Sequence, residues 1–209
     1  MYLKELSDKI WKTKNARFIA AKRMKRSRNS STVSVALLSA SIIAVNMLAF
    51  LNISEFDKTI ITIVTVVLST FALVMSLLIS HLRYEHREDN YHQCGIELDH
   101  LNQLLTIRIN ELCTGNNNAN EIESSNEDNL KYLNEYNAIL SKYNLNHTDF
   151  DYNCSLIKAE SDKEHDLLQL IYYWVRWNIL DVSVLYWLLA IIPVIGVVIA
   201  FVKIPFVNA

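Results

Sequence analysis

In HLRYEHREDNYH, residues 81–92, Glu88 and His92 stand one helical turn apart, as do Glu85 and Asp89. Carboxylates and imidazoles on one helix face are the raw material of a zinc site, which needs nitrogen, oxygen or sulfur ligands converging on one point. The HExxH spacing is absent, and a charged, solvated helix face accounts for the run more simply. Cys94, Cys113 and Cys154 lack CxxC spacing and read as ordinary small apolar residues. The chain has three glycines, no glycine-rich phosphate loop and no nucleophile elbow. We therefore expect no catalytic residues, no metal and no cofactor, and do not read the chain as an enzyme.

A second pattern carries a different chemistry. Thr62, Thr65, Ser69, Ala72, Ser76 and Ser80 recur at spacings of 3, 4, 3, 4 and 4, which puts them on one helix face, and the line then meets Arg83 and Arg87. Copies of such a helix could ring a water-filled path with hydroxyl walls and a cationic mouth, favouring anions or selecting weakly. The competing account is that small residues let helices approach closely while their hydroxyls bond back to their own helix. On the residues alone, close packing is the stronger account.

The elements that must position this line are apolar. TVSVALLSASIIAVNMLAFL, 32–51, carries no charge and is long enough to cross a hydrocarbon core of about 30 Å. TIITIVTVVLSTFALVMSLLISHL, 59–82, follows after a short connector, so the pair reads as a membrane-spanning hairpin. A third block, VLYWLLAIIPVIGVVIAFV at 184–202, reads as a further span, although Pro193 also permits a re-entrant turn. Within the first span, Asn46 is expected to face another helix, since an amide in hydrocarbon wants a partner.

Residues 1–31 hold ten Lys and Arg against Glu5 and Asp8, whereas the 52–58 connector holds Glu55, Asp57 and Lys58. No cleavable signal peptide is expected. The positive-inside rule puts the N-terminus and residues 83–181 in the cytoplasm. That stretch holds eighteen Asp and Glu against eight Lys and Arg, so it can pair with the basic N-terminal helix. Such pairing ranks level with contact to anionic lipid, and direct nucleic-acid binding ranks below both.

After the second span the pattern predicts an unbroken helix in which Tyr84, Tyr91, Leu98, Leu105 and Leu112 form a heptad seam, with Cys94 and Leu101 at the companion position. The seam suits either an intrachain bundle or a coiled coil between chains. TGNNNANEIESSNED, 114–128, reads as a polar connector, and a short amphipathic helix follows through Leu130, Leu133 and Leu140. NLNHTDFDYN reads as a second connector ahead of a helix from about Ser155. The expected architecture is an all-α membrane protein in four parts: a basic amphipathic helix (1–31), a transmembrane hairpin (32–82), an acidic helical region (83–181) and a C-terminal transmembrane segment (182–209).

The order of these features, with IWKTKNARFIAAKRMKR before the hairpin, HLRYEHREDNYHQCGIELDHLNQLL after it and NHTDFDY at 146–152, resembles the SLATT family of bacterial two-transmembrane effectors. The resemblance implies the membrane-acting arm of an antiphage system that oligomerises and breaches the inner membrane, causing cell death or arrest. It also implies a homo-oligomer, with a nucleotide-second-messenger sensor or a reverse transcriptase encoded nearby as a further partner. It raises the pore reading of the hydroxyl line above close packing. Asn146, His147, Asp149, Asp151 and Tyr152 match the family pattern and stand as a partner or sensing surface, or as a turn in which Asn146 and Asp149 cap and His147 bonds neighbouring backbone. The rival reading is a non-conducting tether that recruits or restrains such a partner.

Overall fold

The computed structural model describes residues 3–48, 55–114, 119–146 and 148–159, with 171, 186–188, 191 and 195. Its helices are α1 (Leu3–Leu48), α2 (Glu55–Leu82), α3 (Tyr84–Thr114), α4 (Ala119–Tyr143) and α5 (Asp149–Ala159), and the described residues contain no strand. The chain divides into two compact units: Met1–Lys25 with Glu85–Leu170, and Arg26–Tyr84 with Ile171–Ala209.

In the first unit the 3–4 spacing of a packed helix face appears on α1 at Leu3, Leu6, Ile10, Thr13, Arg17, Ala20 and Met24, all buried. Leu3, Leu6 and Ile10 form one core with Cys94, Leu98, Leu101 and Leu105 of α3 and Tyr136 of α4. From Cys94 to Leu105 the heptad seam of α3 is thus filled by the chain's own helices, as in the intrachain bundle. Polar links flank the core. Thr13 Oγ1 lies 3.1 Å from Tyr136 Oη, Ser7 Oγ donates to Asn102 at 3.1 Å, and Lys14 meets Asp99 at 2.8 Å. The basic helix therefore finds its acidic counterpart within the molecule.

Between α3 and α4, Arg108 Nε meets Asp128 at 2.7 Å, while Lys142 and Tyr143 both donate to Glu97. The Lys142 hydrogen bond, aided by that from Tyr143, holds the Glu97 carboxyl below its ordinary range against a smaller opposing effect of burial. Helix α4 ends in left-handed Asn144 (φ 42), whose N–H reaches the Leu140 carbonyl at 3.1 Å, a conformation asparagine tolerates well.

In the second unit the buried positions of α1 are Ser27, Ser30, Ser31, Ser34, Leu38 and Ser41. Small side chains there permit close helix approach. On α2 the less exposed positions are Ile61, Thr65, Leu68, Ala72, Met75 and Ile79, again at 3–4 spacing. Ser34, Leu38, Phe71, Met75, Ile79 and Tyr186 line one small shared gap, so α1, α2 and the start of the third apolar block converge there. The remaining faces of α2 expose Ile63, Val66, Val67, Leu73 and Leu77 by 59–64% each. Contiguous aliphatic surface of that kind has no place in water and suits hydrocarbon.

Several boundaries differ from the sequence expectation. The helix after the second span is interrupted at Arg83, which adopts φ 47 and separates α2 from α3. No glycine or asparagine marks this turn, and a left-handed arginine costs about 1 kcal/mol. Helix α2 starts at Glu55, inside the expected 52–58 connector, and α4 starts at Ala119, inside the expected 114–128 connector. Beyond Gly115 that run holds nothing that stops a helix. Helix α5 begins at Asp149, not near Ser155, for a reason found in its cap. Most of 184–202, including Pro193, lies outside the described residues.

Candidate functional site

Of the two groups of residues that the sequence singles out, the hydroxyl line with Arg83 lies in the second unit, and Arg87 and the 146–152 segment lie in the first. On α2, Thr62, Ser69, Ser76 and Ser80 are exposed, Thr65 is buried and Ala72 half-buried. The hydroxyl line and the packed face therefore share only Thr65 and Ala72, and the rest of the line runs along the edge of that face. Thr62 Oγ1 donates to the Lys58 carbonyl at 2.9 Å, Thr65 to Ile61 at 3.0 Å, Ser69 to Thr65 at 2.7 Å and Thr70 to Val66 at 2.9 Å. The hydroxyls of Thr62, Thr65 and Ser69 on the line, and of Thr70 beside it, are thus satisfied by their own helix and need neither water nor a second chain to sit in an apolar medium. Arg83 and Arg87 are exposed beyond the line.

The first span behaves differently from expectation. Asn46 and Ser39 are exposed, and Ser39 bonds back to Val35 at 2.9 Å. The buried polar groups are the serines at 27, 30, 31, 34 and 41. Ser34 Oγ donates to the Tyr186 carbonyl at 2.7 Å, and Tyr186 Oη lies 3.0 Å from Tyr84 Oη. Tyr186 is thereby tied to both α1 and the residue that opens α3. Reading only the lone amide of the span missed this seam, whose signal was the recurrence of serine at 27, 31, 34 and 41.

The 146–152 segment is built around Asp151, whose side chain is fully buried. Arg23 on α1 meets it through Nε at 2.9 Å and Nη2 at 2.8 Å, a bidentate fork that matches carboxylate geometry. The same carboxylate accepts from Thr148 N–H at 3.2 Å and Thr148 Oγ1 at 2.8 Å, while Thr148 Oγ1 lies 3.3 Å from the Asp151 N–H. Thr148 and Asp151 thus form a reciprocal cap that starts α5 at Asp149. The expected capping by Asn146 and Asp149 is replaced by this pair. Asn146 serves through its backbone, its carbonyl accepting from Tyr91 Oη at 2.8 Å. Asn146 and Asp149 are exposed, Tyr152 is half-buried, and His147 lies outside the described residues.

Beside this segment the sequence reading overlooked Arg17, which is 3% exposed. Its guanidinium lies over the Tyr91 ring at 5.8 Å, and neither Nε nor Nη1 has a hydrogen-bond partner. It also acts on Cys94: burial pushes the thiol up, and the nearby Arg17 charge only partly offsets this. The signal was its register, since Arg17 continues the Leu3, Leu6, Ile10, Thr13 spacing. Among the described residues, no group of three or more His, Cys, Asp or Glu is placed to hold a metal ion.

Two helices long and apolar enough to cross a membrane, joined to a polar helical unit that both α1 and α3 enter, define an all-α membrane protein built on a two-span hairpin. The chain belongs to the SMODS and SLOG-associating 2TM effector domain family 5, whose model matches residues 1–199. No curated protein and no solved structure matches it.

Proposed function

We propose that the protein is the membrane effector of a bacterial antiphage system. On activation its copies assemble with α2 lining the path between them and breach or depolarise the inner membrane, killing or arresting the cell. The N-terminus and residues 83–181 face the cytoplasm, as the positive-inside balance of residues 1–31 supports. The observation that carries this reading is the surface of α2, whose most apolar stretch is only 6% buried within a single chain and carries an exposed line of small hydroxyl residues between large aliphatics. Small residues on an exposed transmembrane face are where a second helix can approach. Family membership supplies the effector role.

The test is membrane potential and propidium uptake in cells expressing the protein alone and together with its genomic neighbours. Rapid depolarisation under either condition is the expected result. Intact potential under both conditions, with the protein confirmed in the membrane, overturns the reading.

One observation favours a second reading. The hydroxyls of Thr62, Thr65, Ser69 and Thr70 are already bonded to their own helix, as a helix built for close packing would have them. A non-conducting tether fits this, its polar unit recruiting or restraining a nucleotide-sensing protein or a reverse transcriptase. It predicts intact potential and co-purification of such a partner.

A further inference from the structure

Within the first unit a groove of about 630 Å³ opens between α1 and α3. Trp11, Phe18, Lys22 and Lys25 lie on one face of α1, and Asp89 and His92 face them from α3, beside Glu88. The two walls thus bear opposite charges. Elsewhere in this unit such charges close on each other, as Lys14 does on Asp99 at 2.8 Å and Arg23 on Asp151 at 2.8 Å. Lys22, Lys25 and Asp89, by contrast, form no ion pair among the described residues.

The groove is held open by a close helix approach at one end. A Cβ on Gly95 would stand 2.8 Å from Phe18 Cε1, so the Phe18 ring occupies the space that a side chain at 95 would take. That ring meets His92 edge to face at 5.7 Å, fixing the aromatic floor. In the sequence Lys25 stands seven residues before the uncharged run that begins at Thr32. Glu88, on the α3 wall, stands five residues beyond Arg83.

A simple anion here would meet the Asp89 carboxylate, and a simple cation two lysines. A ligand that carries both charges a few ångströms apart satisfies both walls, and the indole of Trp11 and the side chain of Ile19 give it an apolar flank. The geometry points to a site for a phosphate–ammonium zwitterion, the headgroup of an aminophospholipid. Lys22 and Lys25 hold the phosphate, and Asp89, with Glu88 beside it, accepts from the ammonium. This site is independent of whether the protein conducts.

The full-length protein is exchanged into micelles doped with equal amounts of phosphatidylethanolamine and phosphatidylglycerol of identical acyl chains, and retained lipid is measured by native mass spectrometry. The two lipids share the phosphate and differ in the ammonium. We expect phosphatidylethanolamine to be retained about fivefold over phosphatidylglycerol, the preference to vanish in Asp89→Asn, and retention of both lipids to fall in Lys22→Gln/Lys25→Gln. All three positions are solvent-exposed, so circular dichroism of the variants should match the parent. Equal retention by the parent overturns the proposal, as does a preference that survives Asp89→Asn or a retention of both lipids that Lys22→Gln/Lys25→Gln leaves unchanged. Free O-phosphoethanolamine in large excess separates the two sources. Failure to displace the lipid assigns the site to the membrane, and displacement upholds the zwitterion chemistry while moving its source to solution.

Discussion

Asp151 does two jobs with one carboxylate, closing a buried ion pair with Arg23 and capping α5 together with Thr148. Removing its charge takes the bidentate carboxylate away from the Arg23 guanidinium in a largely dry setting, so Asp151→Asn should lower stability by about 3 kcal/mol. Thr148→Ala, which removes the cap alone, should cost about 1 kcal/mol. Denaturant unfolding in detergent checks both, and comparable losses for the two variants would show that the ion pair contributes little. This residue was within reach of the sequence. The segment NHTDFDY carries its family signature, and the Thr148 to Asp151 spacing is that of a capping box. What could not be read was the partner, because Arg23 is one of ten basic residues in a run that topology alone explains.

At the scale of elements, two faces of α2 differ by about a quarter-turn and have different neighbours. Ile61, Leu68, Met75 and Ile79 lie on the less exposed face, whereas Ser69 and Ser76 lie beside it in the open. Because both serines are exposed within a single chain, Ser69→Leu/Ser76→Leu should insert and fold normally. If α2 lines a path between copies, the double variant should lose all depolarising activity, and unchanged depolarisation in a correctly inserted variant would remove the hydroxyl line from the mechanism. The apolar spans and the α3 seam were legible because their periodicity is carried by large aliphatic residues. The α1 seam was not, since from Thr13 through Arg17 to Ser27, Ser31, Ser34 and Ser41 its buried register is occupied by polar types. Arg83 was equally hidden, because its left-handed turn is set by context and not by residue type.

At the scale of the molecule, the basic N-terminus is part of a folded unit whose other helices come from residues 85–170. Leu3, Leu6 and Ile10 cover the row Cys94, Leu98, Leu101 and Leu105, and each buried leucine is worth about 2 kcal/mol. Deleting residues 1–25 should therefore leave that row open and render 85–159 sensitive to limited proteolysis in isolated membranes. A trypsin-resistant fragment of parental size would show instead that the acidic helices fold without it. Composition alone announced that a basic and an acidic segment share one chain, but the side chains that join them, Lys14 with Asp99 and Arg23 with Asp151, are fixed only by helix register. The last of these joins has a wider consequence. Helix α5 spans 11 residues, below the length of about 12 to 15 at which an isolated helix becomes even marginally stable in water. Its order is therefore borrowed from contacts outside the helix, the Arg23–Asp151 pair among them. Drawing Arg23 away leaves the buried Asp151 without its fork while Thr148 still binds it, so the position of one side chain on α1 bears directly on the first turn of α5.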